Sequence, residues 1–348
     1  MKIGIVTVYN SSNYGAYWQA KAMESFLREY GHEPVFIITG ARKPVRKLLY
    51  DFLLSVKKRQ FNITSLLHNI KKEMKFRQFQ QMFNTCRRGK ASECELCIFG
   101  SDEIWNISKK AFAIYPVFWG KGIDNNVTKV SYAPSINRTT KEQVLKYSKG
   151  IKALSNFKYI SVRDAYSQHV LEDILNRPIE LVLDPTLLYK RDFYKKCEQP
   201  IAEREMSYIV VYSYGNGISV QAREAIRELA DRESLKMISL GNRLSWCDAS
   251  IICSPEMFLT YICKAKYCFT DTFHGTIFSL IYHKQVGIFA NMKKVKEVLD
   301  LLQMKECIIK SIDEISLLPT RKYNYSEMEE RLDYLRKTSV DYLMKCLN

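Results

Sequence analysis

The sequence predicts an α/β protein made of two Rossmann-like lobes with a cleft between them. At 348 residues the chain exceeds the roughly 250 to 300 residues that a single hydrophobic core usually supports. In both halves short apolar runs alternate with longer amphipathic stretches, which is the pattern of βα units in a parallel sheet. Between the halves, residues 190–206 lose this pattern and carry mixed charge around Pro200. We therefore place the domain boundary there.

The predicted first lobe spans residues 1–195. Its strands are expected at 2–9, 34–39, 95–99, 128–133, 158–162 and 180–183. Helices are expected between them at 16–30, 141–154 and 164–175. Strands that are separated by helices in this way pair in parallel, so these units predict one doubly wound sheet.

A basic helical insertion is predicted within the first lobe at residues 42–90, with helices at 43–58 and 63–84. The insertion contains 14 Lys and Arg against only Asp51 and Glu73, which gives it a net charge of +12. A surface of this density attracts polyanions such as nucleic acid, an anionic membrane leaflet or a phosphorylated substrate. The alternative interpretation is a solvated helical face without a partner.

The predicted second lobe spans residues 205–322 and repeats the βα pattern. Strands are expected at 207–213, 235–240, 267–270 and 285–290, and helices at 219–233, 255–264, 273–283 and 294–302. A final helix at 326–348 is marked by Ser326 and Glu329, which have the spacing of a capping box. We expect this helix to pack back on the first lobe.

Several protein classes are disfavoured by the composition. The apolar run at residues 2–9 is too short for the core of a signal peptide, and no window approaches about 18 uninterrupted apolar residues. Ten cysteines are scattered through the chain, which favours reduced thiols in a cytoplasm over a disulfide framework. Cys94 and Cys97 have the spacing of a metal-binding pair, but no second pair accompanies them, so no metal site is expected.

The clearest candidate site follows the predicted strand 267–270. A helix begins near His274, and the backbone N–H groups around Gly275 and Thr276 would face the cleft, where they favour phosphate. Thr272 lies on the same turn. His274 would donate a proton or a hydrogen bond to that anion, or it would be satisfied locally at the helix cap. The residues alone leave both possibilities open.

Arg163 is the second candidate because it directly follows a strand-like segment. A charge at that position requires an anionic partner, and the guanidinium group suits bidentate binding of carboxylate or phosphate. A structural ion pair with Asp164 or Asp184 is the alternative. Asp184 precedes Pro185, which by itself is typical of a helix N-cap.

Two further turns follow predicted strands, where ligands of open parallel sheets bind. Asn13, Tyr14 and Gly15 form either a loop that a ligand approaches closely or a tight turn. Ser101 and Asp102 either bind a sugar hydroxyl or cap the following segment.

Together these segments resemble the polysaccharide pyruvyl transferase family, in the family's own order along nearly the whole chain. The matching pieces are NYGAYWQAKAM at 13–23, FGSDEIWN at 99–106, VSYAPSIN at 130–137, ISVRDAYS at 160–167, LDPTLLY at 183–189 and FTDTFHGTIFSL at 269–280. The sequence departs from the family's usual residues at Glu103, Asp164 and Thr272, which preserve polarity, and at Pro134 and Asn137.

The resemblance implies a fold like that of two-lobed GT-B glycosyltransferases, with the site in the cleft between the lobes. It also implies a bacterial enzyme of exopolysaccharide or capsule biosynthesis that uses phosphoenolpyruvate as a co-substrate, without a cofactor. The product would be a pyruvyl ketal on a sugar. By the same resemblance, Arg163 and His274 hold or protonate the donor.

Catalysis is expected from His274, Arg163 and Asp102; donor binding from Arg163, Thr272, His274, Gly275 and Thr276; and acceptor binding from Asn13, Tyr14, Gly15, Ser101, Asp102 and Asp184. A lipid-linked acceptor would bring residues 42–90 to the inner membrane face, and nucleic acid is not an expected partner. Two other functions fit the same sequence: a glycosyltransferase with a nucleotide-sugar donor, and a non-catalytic binder of glycans or polyanions.

Overall fold

Two five-stranded parallel sheets organise the chain, as the computed structural model shows for residues 1–40, 63–109, 115–201, 207–215 and 217–348. Each sheet is accompanied by helices, so the predicted α/β class with two lobes built on parallel sheets is confirmed. The helix predicted at 43–58 lies outside the described residues.

The sheet of the first lobe has the strand order β3-β2-β1-β4-β5, and all its neighbouring strands are parallel. The central strands β1 and β4 are buried, which explains why their sequences are nearly continuous apolar runs. The strands are β1 (Lys2–Val6), β2 (Glu33–Ile38), β3 (Thr85–Arg87), β4 (Leu96–Phe99) and β5 (Thr128–Ser131).

Two short parallel strands, β6 (Ser161–Val162) and β7 (Glu180–Leu181), adjoin this sheet. The Ser161 N–H donates to the Ser131 hydroxyl at 2.9 Å, and Tyr159, just before β6, forms an isolated parallel bridge with Val130. The helices of the lobe are α1 (Tyr14–Glu29), α2 (Ile63–Gln80), α3 (Lys141–Lys146), α4 (Ser148–Leu154), α5 (Ala165–Leu175) and α6 (Arg191–Lys195).

The second lobe repeats the same arrangement, with the strand order β10-β9-β8-β11-β12 and parallel pairing throughout. Its strands are β8 (Tyr208–Tyr212), β9 (Lys236–Leu240), β10 (Ala249–Ile251), β11 (Tyr267–Thr270) and β12 (Gln285–Ile288). Its helices are α7 (Val220–Arg232), α8 (Pro255–Lys264), α9 (Phe273–Ile281), α10 (Lys293–Leu301) and α11 (Asp313–Ser316).

Two edge strands and one helix break differ from the sequence-based expectation. Strands β3 and β10 are three residues long and mostly exposed or half-buried, so they lack the apolar runs that identify the central strands. The helix expected at 141–154 is divided at Tyr147 into α3 and α4. Helix α2 ends at Gln80, before the predicted residue 84.

The final helix, α12 (Tyr325–Leu347), contacts both lobes. On the first lobe, the Tyr342 hydroxyl donates to the Ser131 carbonyl at 2.8 Å, and the Ser339 hydroxyl accepts from the N–H of Leu183 at 2.9 Å. On the second lobe, His283 lies 3.1 Å from the Glu329 carboxylate. The helix therefore links the two lobes at a point distant in sequence from the predicted boundary at 190–206.

A continuous hydrophobic core also joins the lobes. Tyr14 and Trp18 on α1 are buried against α8, where the Tyr14 ring stacks on Phe258 at 4.4 Å and the Trp18 indole N–H donates to the Pro255 carbonyl. Residues of both sheets, of α1, α8 and α9, and of α12 belong to this one core. No helix in the described part of the chain is long and apolar enough to cross a bilayer.

Candidate active site

In each sheet the strand order changes direction next to the first strand of the lobe, between β1 and β4 in one sheet and between β8 and β11 in the other. These two points face each other across the interlobe cleft. In open parallel sheets ligands bind at such points, beyond the carboxyl ends of the strands. The cleft has a volume of about 620 Å³. Its lining residues are Val8, Ser11, Asn13, Ala16, Asp102, Glu103, Asn106, Ser108, Lys109, Asn137, Arg138, Tyr214, Phe273, His274, Met292, Lys293 and Lys294.

His274 lies in this cleft at the start of α9, only 9% exposed. Its ring packs directly on the backbone of Gly15 in α1, where a Cβ atom would stand 2.0 Å from the imidazole Nδ1. The Nε2 atom is 3.8 Å from Asp184 Oδ1 and has no hydrogen-bond partner among the described residues. The ring is thus positioned by the first lobe although its backbone belongs to the second.

Asp184 is a buried anchor for the groups around it. Its carboxylate accepts hydrogen bonds from the Gln19 amide, from the N–H and hydroxyl of Thr186, and from Arg163 Nη1 at 2.9 Å. Burial would raise the pKa of this carboxyl, but the neighbouring His274 and Arg163 outweigh burial and hold the pKa well below its usual range. Asp184 was predicted to bind the acceptor; because it is 3% exposed and fully engaged, it orients protein groups instead.

Arg163 forms the structural ion pair that was the alternative to an anion-binding role. Its side chain is 4% exposed, and Nη2 lies 3.6 Å from Asp102 Oδ1 in addition to the contact with Asp184. The guanidinium group also lies over the Phe273 ring at 4.9 Å. Arg163 does not line the cleft but borders a neighbouring cavity of about 390 Å³, so the predicted bidentate contact with a donor is not formed by this geometry. Asp164, the other predicted partner, instead caps α5.

Asp102 is the most accessible carboxylate at the floor of the cleft, with 24% of its side chain exposed. Its backbone adopts a left-handed conformation, φ 69°, directly after β4. In a residue other than glycine this conformation is uncommon and is often associated with functional turns. The turn places one carboxylate oxygen on the N–H of Glu103 at 2.8 Å and leaves the side chain facing the cleft.

The cleft is crossed by polar contacts between the lobes. Glu103 Oε1 pairs with Lys294 Nζ at 2.6 Å, and the Asn13 side-chain amide donates to the Tyr214 hydroxyl at 2.8 Å. Burial opposes ionisation of Glu103, but Lys294 outweighs it and lowers the pKa of this carboxyl strongly. Asn13 also caps α1, since its side-chain oxygen accepts from the N–H of Gly15 at 2.8 Å.

The predicted phosphate site at the turn before α9 needs correction. The Gly275 N–H donates to the Thr272 hydroxyl, and the Thr276 N–H and hydroxyl donate to the Thr272 carbonyl. Thr272 and Thr276 are fully buried and do not line the cleft. These three residues therefore form the cap of α9, because a threonine at the N-cap consumes the very N–H groups that would otherwise face an anion.

The predicted acceptor residues Tyr14, Gly15 and Ser101 are also enclosed. The Tyr14 hydroxyl donates to the Cys253 carbonyl at 3.2 Å within the interlobe core, and burial raises its pKa. Gly15 does allow a close approach, but the group that approaches is the ring of His274. Ser101 is 2% exposed beside Asp102, and its hydroxyl has no hydrogen-bond partner in the described part of the chain.

Four cationic side chains that line the cleft were not predicted from the sequence: Lys109, Arg138, Lys293 and Lys294. Arg138 is exposed and forms no ion pair with any described residue. Lys293 and Lys294 follow β12, so the rule that ligands bind beyond strand ends, applied to every strand, would have found them. Lys109 and Arg138 lie in irregular segments and carry no such signal. No cluster of three or more metal-ligating side chains occurs among the described residues.

The model of one protein family, described as polysaccharide pyruvyl transferase, matches residues 13–292. A comparison with curated protein sequences gave no significant match.

Solved structures with the same fold include a UDP-GlcNAc 2-epimerase from Neisseria meningitidis bound to UDP-GlcNAc, with a TM-score of 0.56, 10% identity and coverage of 99% of this chain and 100% of that one. They also include an alpha-glucosyltransferase in complex with UDP and a 13-mer DNA, with a TM-score of 0.52, 10% identity and 99% coverage of each chain. These are enzymes of the GT-B fold, which confirms the predicted two-lobed architecture.

Proposed function

Because the chain belongs to the polysaccharide pyruvyl transferase family, we propose that it transfers the enolpyruvyl group of phosphoenolpyruvate to a sugar of a surface-polysaccharide precursor, forming a pyruvyl ketal. The observation that carries this proposal is the composition of the cleft. Asp102 and His274 face a common space whose rim carries Lys109, Arg138 and Lys293. The cleft thus combines a carboxylate, an imidazole and cations suited to a small polyanion.

Donor binding is assigned to the cationic rim. Phosphoenolpyruvate carries a carboxylate and a phosphate, and both anions are attracted by Lys and Arg in a partly enclosed cleft. Arg138 has an exposed guanidinium group, which suits bidentate contact with either anion. Lys294 is already paired with Glu103, and Lys293 lies 3.6 Å from Glu297, so Arg138 is the best candidate for direct contact.

The first step is addition across the enol double bond. A sugar hydroxyl oxygen bonds to C2 of the donor, its proton passes to a base, and a second proton is delivered to the terminal methylene, which becomes a methyl group. We assign proton delivery to His274 and the base to Asp102. The buried carboxylate of Asp184 lies 3.8 Å from the imidazole Nε2, on the protein side of the ring.

The second step replaces phosphate at C2 by a second hydroxyl of the same sugar. The C–O bond to phosphate breaks, phosphate leaves with the bonding electrons, and the hydroxyl proton passes to a base. One donor and one diol thus give one ketal and one phosphate. The two reaction steps balance without a metal or an organic cofactor.

Arg163 is assigned a positioning role in this scheme. It is buried between Asp184 and Asp102, so it fixes the carboxylate that orients His274 and the carboxylate that faces the acceptor. The tight network keeps both groups in a single arrangement, which is what positioned acid and base catalysis requires.

The acceptor is proposed to be a lipid-linked sugar at the inner face of a bacterial membrane. The decisive experiment incubates the protein with phosphoenolpyruvate and a panel of lipid-linked or nucleoside-linked sugars. We expect phosphate release that depends on the acceptor, together with an acceptor product whose mass has increased by one pyruvyl ketal. Release of a nucleotide from a nucleotide-sugar donor, without a pyruvyl product, would instead identify a glycosyltransferase.

A further inference from the structure

An apolar stripe is exposed along helix α2. Ile63, Leu67, Ile70 and Met74 follow one another at spacings of four, three and four residues, which places them on one face of the helix. Their exposed fractions are 59% for Ile63, 59% for Leu67, 37% for Ile70 and 64% for Met74. A contiguous exposed stripe of large apolar side chains marks an interaction surface.

The opposite face of α2 is fixed to the body of the protein. Phe76 is fully buried, and its ring lies 4.9 Å from that of Tyr14. Lys75 Nζ donates to the Ile252 carbonyl at 2.8 Å, and Lys72 Nζ donates to the Asn242 side chain at 2.9 Å. These contacts reach the second lobe. One face of α2 therefore packs on the protein, and the apolar stripe points away from it.

Basic side chains flank the stripe. At 100° per residue, Lys71 lies on one side of the stripe and Arg77 on the other, and both are exposed. Residues 63–90 contain seven Lys and Arg against one acidic residue, Glu73. Two of the seven, Lys72 and Lys75, lie on the opposite face, and the exposed Arg87 and Arg88 follow shortly after the helix. An apolar stripe between cations is the composition of helices that lie in the interface of an anionic bilayer.

We propose that the stripe of Ile63, Leu67, Ile70 and Met74, which we call the α2 stripe, docks the protein on an anionic lipid bilayer. The apolar side chains enter the boundary between headgroups and acyl chains, while Lys71 and Arg77 contact the lipid phosphates. Anionic lipid is the occupant that matches this charge, because a second copy of the same basic surface would be repelled.

Docking of the α2 stripe would bring the cleft to the membrane surface. Glu73 on α2 accepts a hydrogen bond from the Ser12 hydroxyl, and Ser12 stands between the cleft-lining residues Ser11 and Asn13. The rim of the cleft is therefore tied directly to the docked helix. That this position helps the cleft reach a lipid-linked acceptor rests on the proposed function. The docking itself does not depend on that function.

The test is flotation of the full-length protein with vesicles, without any substrate. Vesicles of phosphatidylcholine containing about 30 mol% phosphatidylglycerol are compared with phosphatidylcholine alone, at about 0.1 M and about 1 M salt, where the Debye length falls from roughly 10 to 3 Å. We expect binding to the anionic vesicles at low salt and much weaker binding in the other conditions.

Two double variants separate the stripe from general surface hydrophobicity. Leu67→Gln with Met74→Gln should weaken partitioning into anionic vesicles about tenfold or more, since two apolar side chains no longer leave water. The matched control, Val220→Gln with Leu317→Gln, alters residues of the second lobe that are 59% and 58% exposed and should bind as the wild type does. Circular dichroism and the melting temperature check that both variants are folded.

The proposal is overturned if the wild type ignores anionic lipid, or if the stripe variant binds as well as the control. It is also overturned if the stripe variant only converts a dimer into a monomer in sedimentation, because the stripe would then cover a second copy. If the protein does not bind the vesicles but still transfers pyruvyl to a soluble acceptor, only the docking proposal is refuted. Docking without pyruvyl transfer to any acceptor would refute the proposed reaction alone.

Discussion

Replacing Gly15 by alanine tests whether the placement of His274 governs turnover. The added Cβ would stand 2.0 Å from Nδ1, 2.2 Å from Cγ and 2.7 Å from Cβ of His274. Carbon and nitrogen atoms in contact are about 3.5 Å apart, so the ring must move by about 1.5 Å or α1 must shift. Displacement of a catalytic group by about 1 Å can cost roughly 100-fold in rate.

We therefore expect Gly15→Ala to lower kcat about 100-fold while the protein stays folded. Overpacking costs about 1 to 3 kcal/mol, and the better helix propensity of alanine offsets up to about 1 kcal/mol of this. The assay is release of phosphate from phosphoenolpyruvate in the presence of an accepted sugar, combined with thermal unfolding.

Gly89→Ala is the matched control, because a Cβ at that position meets nothing within 4 Å. The same Gly15→Ala change introduced into a His274→Ala background should have little further effect on kcat, since the displaced group is already gone. Near-normal turnover of Gly15→Ala would refute the reasoning, and so would an equal loss in both backgrounds.

Three further outcomes follow from the site. His274→Ala should lower kcat by about 100- to 10,000-fold, and near-normal turnover in the phosphate-release assay would exclude proton delivery by this residue. Asp184→Asn should destabilise the protein by about 3 to 5 kcal/mol in urea unfolding, because the buried Arg163 would lose the closer of its two carboxylate partners. The folded pKa of Asp184 is depressed below the unfolded value of about 3.9, so the stabilisation by this carboxylate is present above pH 4 and is lost as the pH falls below it. This pH dependence should be missing from the stability profile of the variant. Arg138→Gln should raise KM for phosphoenolpyruvate with little change in kcat or melting temperature, as expected for an exposed residue that binds the donor equally in the ground and transition states; an unchanged KM would remove Arg138 from the donor site.

The central architecture was predictable because it depends on strong local patterns. The buried strands β1, β4, β8 and β11 are apolar runs, and the polar residues that follow them, Asp102 and His274 among them, do reach a common cleft. The order of the strands cannot be read from periodicity, but βα alternation restricts it to parallel, doubly wound arrangements. The edge strands β3 and β10 were not predicted, because three residues that are exposed or half-buried carry no apolar pattern.

The roles of individual side chains were harder to predict, because the sequence does not tell whether a protein group or a ligand satisfies a charge. Arg163 does have an anionic partner, as its buried charge requires, but this partner is Asp184, 21 residues further along, and not a ligand. The N–H groups of Gly275 and Thr276 were expected to bind an anion, yet Thr272 satisfies them locally. Only the distances distinguish these cases.

The bracing of the two lobes by α12 constrains how substrates enter. Rotating the lobes apart would expose the shared hydrophobic core around Tyr14 and Trp18. The same motion would break the contacts of α12 with Ser131 and His283. We therefore expect donor and acceptor to enter through side-chain movements at the entrance of the cleft, such as separation of Lys294 from Glu103, and not through a wide hinge motion. Calorimetry should accordingly record one cooperative melting event for both halves, where a freely hinged pair would give two.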